Sequence, residues 1–132
     1  MWLSQRFRNE ARSEMTAETG PVTLGGIHAG AYLSGERRGM PVYSPGGYLW
    51  HPAVGQEVLV IKTGADGETP CIAGVRQEKD PGPGEVLLFS QDAQSSIRLS
   101  QGGNVRISGN VHINGETLEE LVSRIVMDIL YP

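Results

Sequence analysis

Apolar and polar residues alternate strictly in three short segments of the second half of the chain. Each segment has one polar residue between two aliphatic residues: Ile97–Leu99, Val105–Ile107 and Val111–Ile113. A period of two is typical of a β-strand that buries one face. Residues 105–110 and 111–116 are two copies of one six-residue unit, so the pattern is an internal repeat.

Between residues 19 and 76 the pattern predicts about five short strands separated by turn residues. The clearest is Glu57–Ile61, which is rich in β-branched residues and is followed by a turn that begins at Thr63. The other predicted strands are 21–24, 40–42, 48–50 and 70–75, and residues 36–39 are predicted to form a charged turn. This spacing is typical of a small barrel or sandwich.

The remaining segments give the predicted boundaries between the parts of the chain. Residues 1–18 contain no glycine or proline and are interpreted as an N-terminal arm, and residues 77–85, with two Pro-Gly pairs, as a linker. Residues 116–132 are predicted to form a helix. Thr117 and Glu120 have the spacing of a capping box, and apolar residues follow at intervals of three and four.

The repeat of residues 86–115 has too few aliphatic residues for a core of its own. A three-residue strand buries two side chains, which does not offset the entropy of ordering the chain. Three copies wound about one axis pool these side chains in a shared core, so we expect a homotrimer. The predicted interface residues are Ile97, Leu99, Val105, Ile107, Val111 and Ile113, with Leu118, Leu121, Val122 and Ile125 of the helix. The alternatives are a β-meander packed on the first domain and a hexapeptide-repeat acyltransferase.

Composition and charge argue against several classes of protein. The net charge is −4 without a basic stripe, which argues against nucleic-acid binding. Eighteen glycines disfavour a helical bundle, and no apolar run reaches the length of a membrane span. The single cysteine, Cys71, allows neither an intrachain disulfide nor a cysteine-based zinc cluster.

Catalytic and metal-binding patterns are missing from the sequence. His28, His51 and His112 are far apart, and no nucleophile elbow or phosphate-binding loop occurs. His112 alternates with Val111 and Ile113, which predicts an outward side chain. We therefore expect no enzyme activity, no cofactor and no metal.

Three stretches, taken in order, resemble the central spike of phage tails, the baseplate assembly protein V family, which also occurs in contractile injection systems. They are Trp50–Val60, Cys71–Val75 and Gly84–Gly115. The resemblance implies a mainly β fold. It consists of an oligonucleotide/oligosaccharide-binding (OB)-like barrel over residues 19–76, a short intertwined trimeric β-helix over residues 86–115, and then the C-terminal helix.

The resemblance also implies partners and a location. The expected protein is a homotrimer in the virion or injection particle, made in the bacterial cytoplasm and bound to tail hub or baseplate proteins. The repeat is short and the HxH iron site of some spike tips is missing. These departures favour a hub plug, a plate for a separate tip protein, or the spike of a reduced particle such as a tail-like bacteriocin, without stable membrane insertion. The alternative is an OB-type module for single-stranded nucleic acid or sugar, with Tyr32, Tyr43, Tyr48 and Trp50 available for stacking.

Overall fold

The structure is a computed structural model that describes residues 17–64, 69–78 and 81–132. The described chain is mainly β with one C-terminal helix, as predicted. It divides into two compact units after Glu78, within the predicted linker. The predicted N-terminal arm lies outside the described residues except for 17 and 18, which belong to the first strand.

The first unit contains one five-stranded antiparallel sheet. Its strands are β1 (Ala17–Leu24), β2 (His28–Tyr32), β3 (Glu36–Pro41), β4 (Glu57–Thr63) and β5 (Thr69–Val75), in the order β3-β2-β1-β4-β5. Alternation in β4 buries Val58 and Val60. They join a small aliphatic core with Val22, Ala29, Ala31, Met40 and Ile72.

Two predictions for this unit are wrong. Residues 36–39 are not a turn but part of β3, an edge strand whose charged side chains remain exposed. Gly39, with φ of +70°, lies where β3 has one extra residue opposite β2, so a glycine bulge lets the strand continue. Residues 48–50 form no strand and belong to a long connection between β3 and β4.

The sheet does not close into a barrel. The two edge strands approach each other at a single parallel bridge between Val42 and Ile72, where the Tyr43 N–H donates to the Ile72 carbonyl at 2.9 Å. A longer ladder is prevented because Pro41 and Pro45 flank this bridge and have no N–H to donate. The predicted barrel is corrected to an open sheet whose edges meet at one bridge.

The second unit contains a three-stranded antiparallel meander, a short hairpin and a helix. The meander consists of β6 (Val86–Phe89), β7 (Ser96–Ser100) and β8 (Asn104–Ser108), and the hairpin of β9 (His112–Ile113) and β10 (Glu116–Thr117). The helix α1 spans Leu118–Leu130. Within one chain the strands form this meander and not a β-helix.

The two copies of the six-residue repeat adopt different structures. Residues 105–107 lie in β8 and pair with the preceding strand, β7. Residues 112–113 form β9 and pair with the following strand, β10. Asn114 and Gly115 have φ values of +51° and +83°, which suits the tight primed turn of a two-residue hairpin. This turn diverts the second copy from the meander.

Candidate functional site

One face of the meander collects the aliphatic residues of all three strands. Ile97 lies opposite Leu88 and Ile107, and Leu99 lies opposite Val86 and Val105. Directly paired residues point to the same face of a sheet, so these six side chains form one surface, the apolar face. Four of them are predicted interface residues.

Val86 and Leu88 are the two members of the apolar face that the sequence analysis missed. Their segment, Val86–Phe89, is apolar at every position, so the sequence has no period that separates the two faces. The register with β7 shows to which face each residue belongs. Val86 and Leu88 lie opposite aliphatic residues, whereas Leu87 lies opposite Arg98. These two residues are identified by the pairing between strands, which cannot be read from the sequence alone.

The apolar face is exposed. Val105 and Ile107 are 62% and 59% exposed, and Ile97 is 41% exposed. Along β7 the apolar positions are more exposed than the polar positions Ser96, Arg98 and Ser100, which are half-buried. None of residues 81–132, all of which the structure describes, is buried. The second unit thus lacks a core within a single chain.

The other predicted interface residues lie in the hairpin and the helix. Val111, which accepts a hydrogen bond from the Leu118 N–H at 2.9 Å, is half-buried, and Ile113 in β9 is exposed. The hairpin is not part of the meander sheet, so strand register does not assign these two side chains to the apolar face. In α1, Leu121 is half-buried, and Leu118, Val122 and Ile125 are exposed.

The helix has the predicted capping box, whereas residues 116 and 117, predicted to be helical, form β10. The Glu120 N–H donates to the Thr117 hydroxyl at 3.2 Å, and the Thr117 N–H donates to the Glu120 carboxylate at 3.1 Å, which completes the capping box. Leu118, Val122, Ile125 and Ile129 recur at intervals of four and three residues, the spacing of a coiled-coil seam. All four are exposed, so the seam has no partner within the described chain.

One ion pair joins the helix to the hairpin. The Arg124 guanidinium donates to both carboxylate oxygens of Glu116, at 3.0 and 2.9 Å. These hydrogen bonds lower the pKa of Glu116 and raise that of Arg124. In the turn between β6 and β7, hydrogen bonds from the Ser90 hydroxyl and the Gln94 N–H lower the pKa of Asp92.

The described residues contain no group of three or more His, Cys, Asp or Glu side chains that could hold a metal ion. His28, His51 and His112 are all exposed, and Cys71 is buried in β5. Trp50 packs against the core of the first unit, whereas Tyr32, Tyr43 and Tyr48 remain exposed. No helix in the described part of the chain is long and apolar enough to cross a membrane.

The chain matches no protein-family model and no curated protein.

Proposed function

We propose that the protein is a homotrimeric structural subunit on the axis of a phage tail or a tail-like injection machine, where it serves as a central spike or hub plug. The observation that carries the proposal is the apolar face together with the absence of any buried residue from 81 to 132. An aliphatic surface of this kind is exposed only until a partner covers it. Copies of the same chain offer the matching surface.

The energetics favour assembly. Roughly half of each aliphatic side chain on the apolar face is still accessible, so burial contributes about 1 kcal/mol per residue. Three copies bring eighteen such side chains to one axis (six per chain, three chains). In that arrangement each meander turns the face that carries Arg98 and Arg106 to solvent, and the sheets wind into the short β-helix that the sequence resembles. We propose that the meander of one chain is one third of that prism.

The helix is compatible with the same stoichiometry. Its seam of Leu118, Val122, Ile125 and Ile129 suits a parallel bundle of three helices on the same axis. An isolated 13-residue helix is marginally stable in water. Association of the three helices therefore stabilises both the helix and the trimer.

The first unit supports an OB-like docking domain. β1 pairs with both β2 and β4, and the end of β3 meets β5 in parallel at Val42 and Ile72. An OB-fold is a five-stranded, partly open Greek-key barrel, and this pairing supports the proposal of such an arrangement. We propose that this unit binds the hub or baseplate.

The test is the mass of the full chain in solution, measured by light scattering after gel filtration and by native mass spectrometry. We expect a trimer. Ile107→Asp places three carboxylates in one dry layer, so we expect it to dissociate the trimer. Asn104→Asp is the matched control, because it adds the same charge to the opposite face of β8. A monomeric or dimeric wild-type chain, or an Ile107→Asp variant that remains a trimer, would refute the proposal.

The alternative function is an OB-type module that binds sugar or single-stranded nucleic acid through Tyr32, Tyr43 and Tyr48, whose side chains are exposed. Fluorescence anisotropy with labelled oligonucleotides and oligosaccharides distinguishes the two functions. Tight binding that is lost on replacing these tyrosines favours the module over the spike.

A further inference from the structure

Two arginines lie directly opposite each other on the meander. Arg98 in β7 pairs with Arg106 in β8, and both alternate with the residues of the apolar face. Their side chains therefore point to the opposite face of the sheet. Directly paired residues have Cβ atoms about 5 Å apart, so the two guanidinium groups can reach one ligand.

The strands of the meander do not compensate the charge of this pair. Strands β6, β7 and β8 contain no acidic residue, and the other described arginine of the second unit, Arg124, is paired with Glu116. None of the ion pairs among the described residues includes Arg98 or Arg106. Like charges directly opposite each other destabilise a sheet. A bound anion would remove that repulsion.

The surroundings of the pair supply further hydrogen-bond donors. Ser96 and Ser100 lie two residues from Arg98 along β7, and Ser108 lies two residues from Arg106 and opposite Ser96. Alternation places these three hydroxyl groups on the same face as the arginines. Each guanidinium donates in a fixed fork, which pairs best with an edge of two oxygens. A phosphate group, with three or four oxygens, satisfies both.

We propose that Arg98, Arg106 and the neighbouring serines form a phosphate-binding site on this sheet face, which also carries Leu87 and Phe89. The ligand is a phosphate group held by forked hydrogen bonds from both guanidinium groups, with hydroxyl donors at its edges. The site lies on the face opposite the apolar face, so it does not depend on the trimer. It is available in a single chain and in the proposed assembly alike.

The test uses the full chain and inorganic phosphate, with chloride at the same ionic strength as the reference. Arginine Nε–H signals are followed by NMR during the titration. We expect saturable shifts at Arg98 and Arg106, and a Kd for phosphate that rises by about tenfold or more in Arg106→Gln, which removes charged hydrogen bonds. Arg37→Gln is the matched control, since Arg37 is also a strand arginine without a described ion pair.

Arg106→Lys keeps the positive charge but loses the forked hydrogen bonds. We expect its affinity for phosphate to lie between those of wild type and Arg106→Gln. Equal shifts at Arg37 and Arg98, or an unchanged Kd in Arg106→Gln, would overturn the proposal.

A second arm identifies the source of the phosphate. Vesicles of phosphatidylglycerol and phosphatidylcholine in equal amounts are compared with phosphatidylcholine alone in a sedimentation assay. Arginine-dependent binding to the anionic vesicles indicates a lipid headgroup, and binding of inorganic phosphate without vesicle binding indicates a free phosphate. Binding to neither probe would refute the site.

Discussion

Arg124 in the helix α1 binds Glu116 in strand β10 through two hydrogen bonds, at 3.0 and 2.9 Å, from its guanidinium to both carboxylate oxygens. The pair joins the second turn of the helix to the hairpin that precedes it. Together with the capping box at Thr117, it determines the direction in which the helix leaves the hairpin. The exposed seam of α1 therefore has a defined orientation relative to β9 and β10.

This pair predicts a pH dependence. A carboxyl group with a lowered pKa in the folded state stabilises the fold above its unfolded-state pKa, about 4.3 for glutamate, and this contribution is lost as the pH falls through the folded-state pKa. We expect wild type to retain more helix than Glu116→Gln at neutral pH. Circular dichroism measured from pH 7 to pH 2 should show the difference disappearing in acid, and a constant difference would contradict the assignment.

Gly20 in β1 is predicted to tolerate no side chain. A Cβ atom there would overlap with the backbone carbonyl oxygen of Tyr32. We expect Gly20→Ala to destabilise the first unit by about 1–3 kcal/mol, the range of overpacking. Urea unfolding followed by tryptophan fluorescence measures this loss.

Gly74→Ala is the control for that experiment. Gly74 also lies in a strand, and a Cβ atom at this position would meet no atom within 4 Å. An equal loss of stability in the two variants would show that the close approach at Tyr32 is not the cause.

A substitution of Leu88 tests the part of the apolar face that is identified only from the register of the strands. Leu88 lies opposite Ile97, so in the proposed trimer it shares a layer with Ile97 and Ile107. We expect Leu88→Asp to dissociate the trimer as Ile107→Asp does, because it introduces three unpaired buried charges. Native mass spectrometry gives the result, and a stable trimer would exclude Leu88 from the interface.

Ile125 tests the helix seam. We expect Ile125→Asp to lower both the helix content and the mass of the assembly, because the helix is too short to be stable without a partner. Ser123→Asp is the control, since Ser123 lies between seam positions and is not part of them. Equal effects of the two substitutions on circular dichroism would mean that α1 has no specific seam.

Local patterns predicted the elements that depend on local physics. The run of β-branched residues in Glu57–Ile61 predicted β4, and the spacing of Thr117 and Glu120 predicted the helix start, because strand composition and capping involve residues close in sequence. Residues 36–39 were predicted wrongly because charge and glycine indicated a turn. At an edge strand, exposed charges and a glycine bulge are compatible with a ladder.

The second half of this chain has too few aliphatic residues for a core of its own. This can be read from the sequence, because alternation and the number of aliphatic residues are properties of the chain. Tertiary structure decided which residues share a face: Val86 and Leu88 with Ile97, and Arg98 with Arg106. It also diverted the second repeat copy into a hairpin. The physical reason is that strand register depends on hydrogen bonds between residues distant in sequence, and a shift of one residue would move every side chain to the other face.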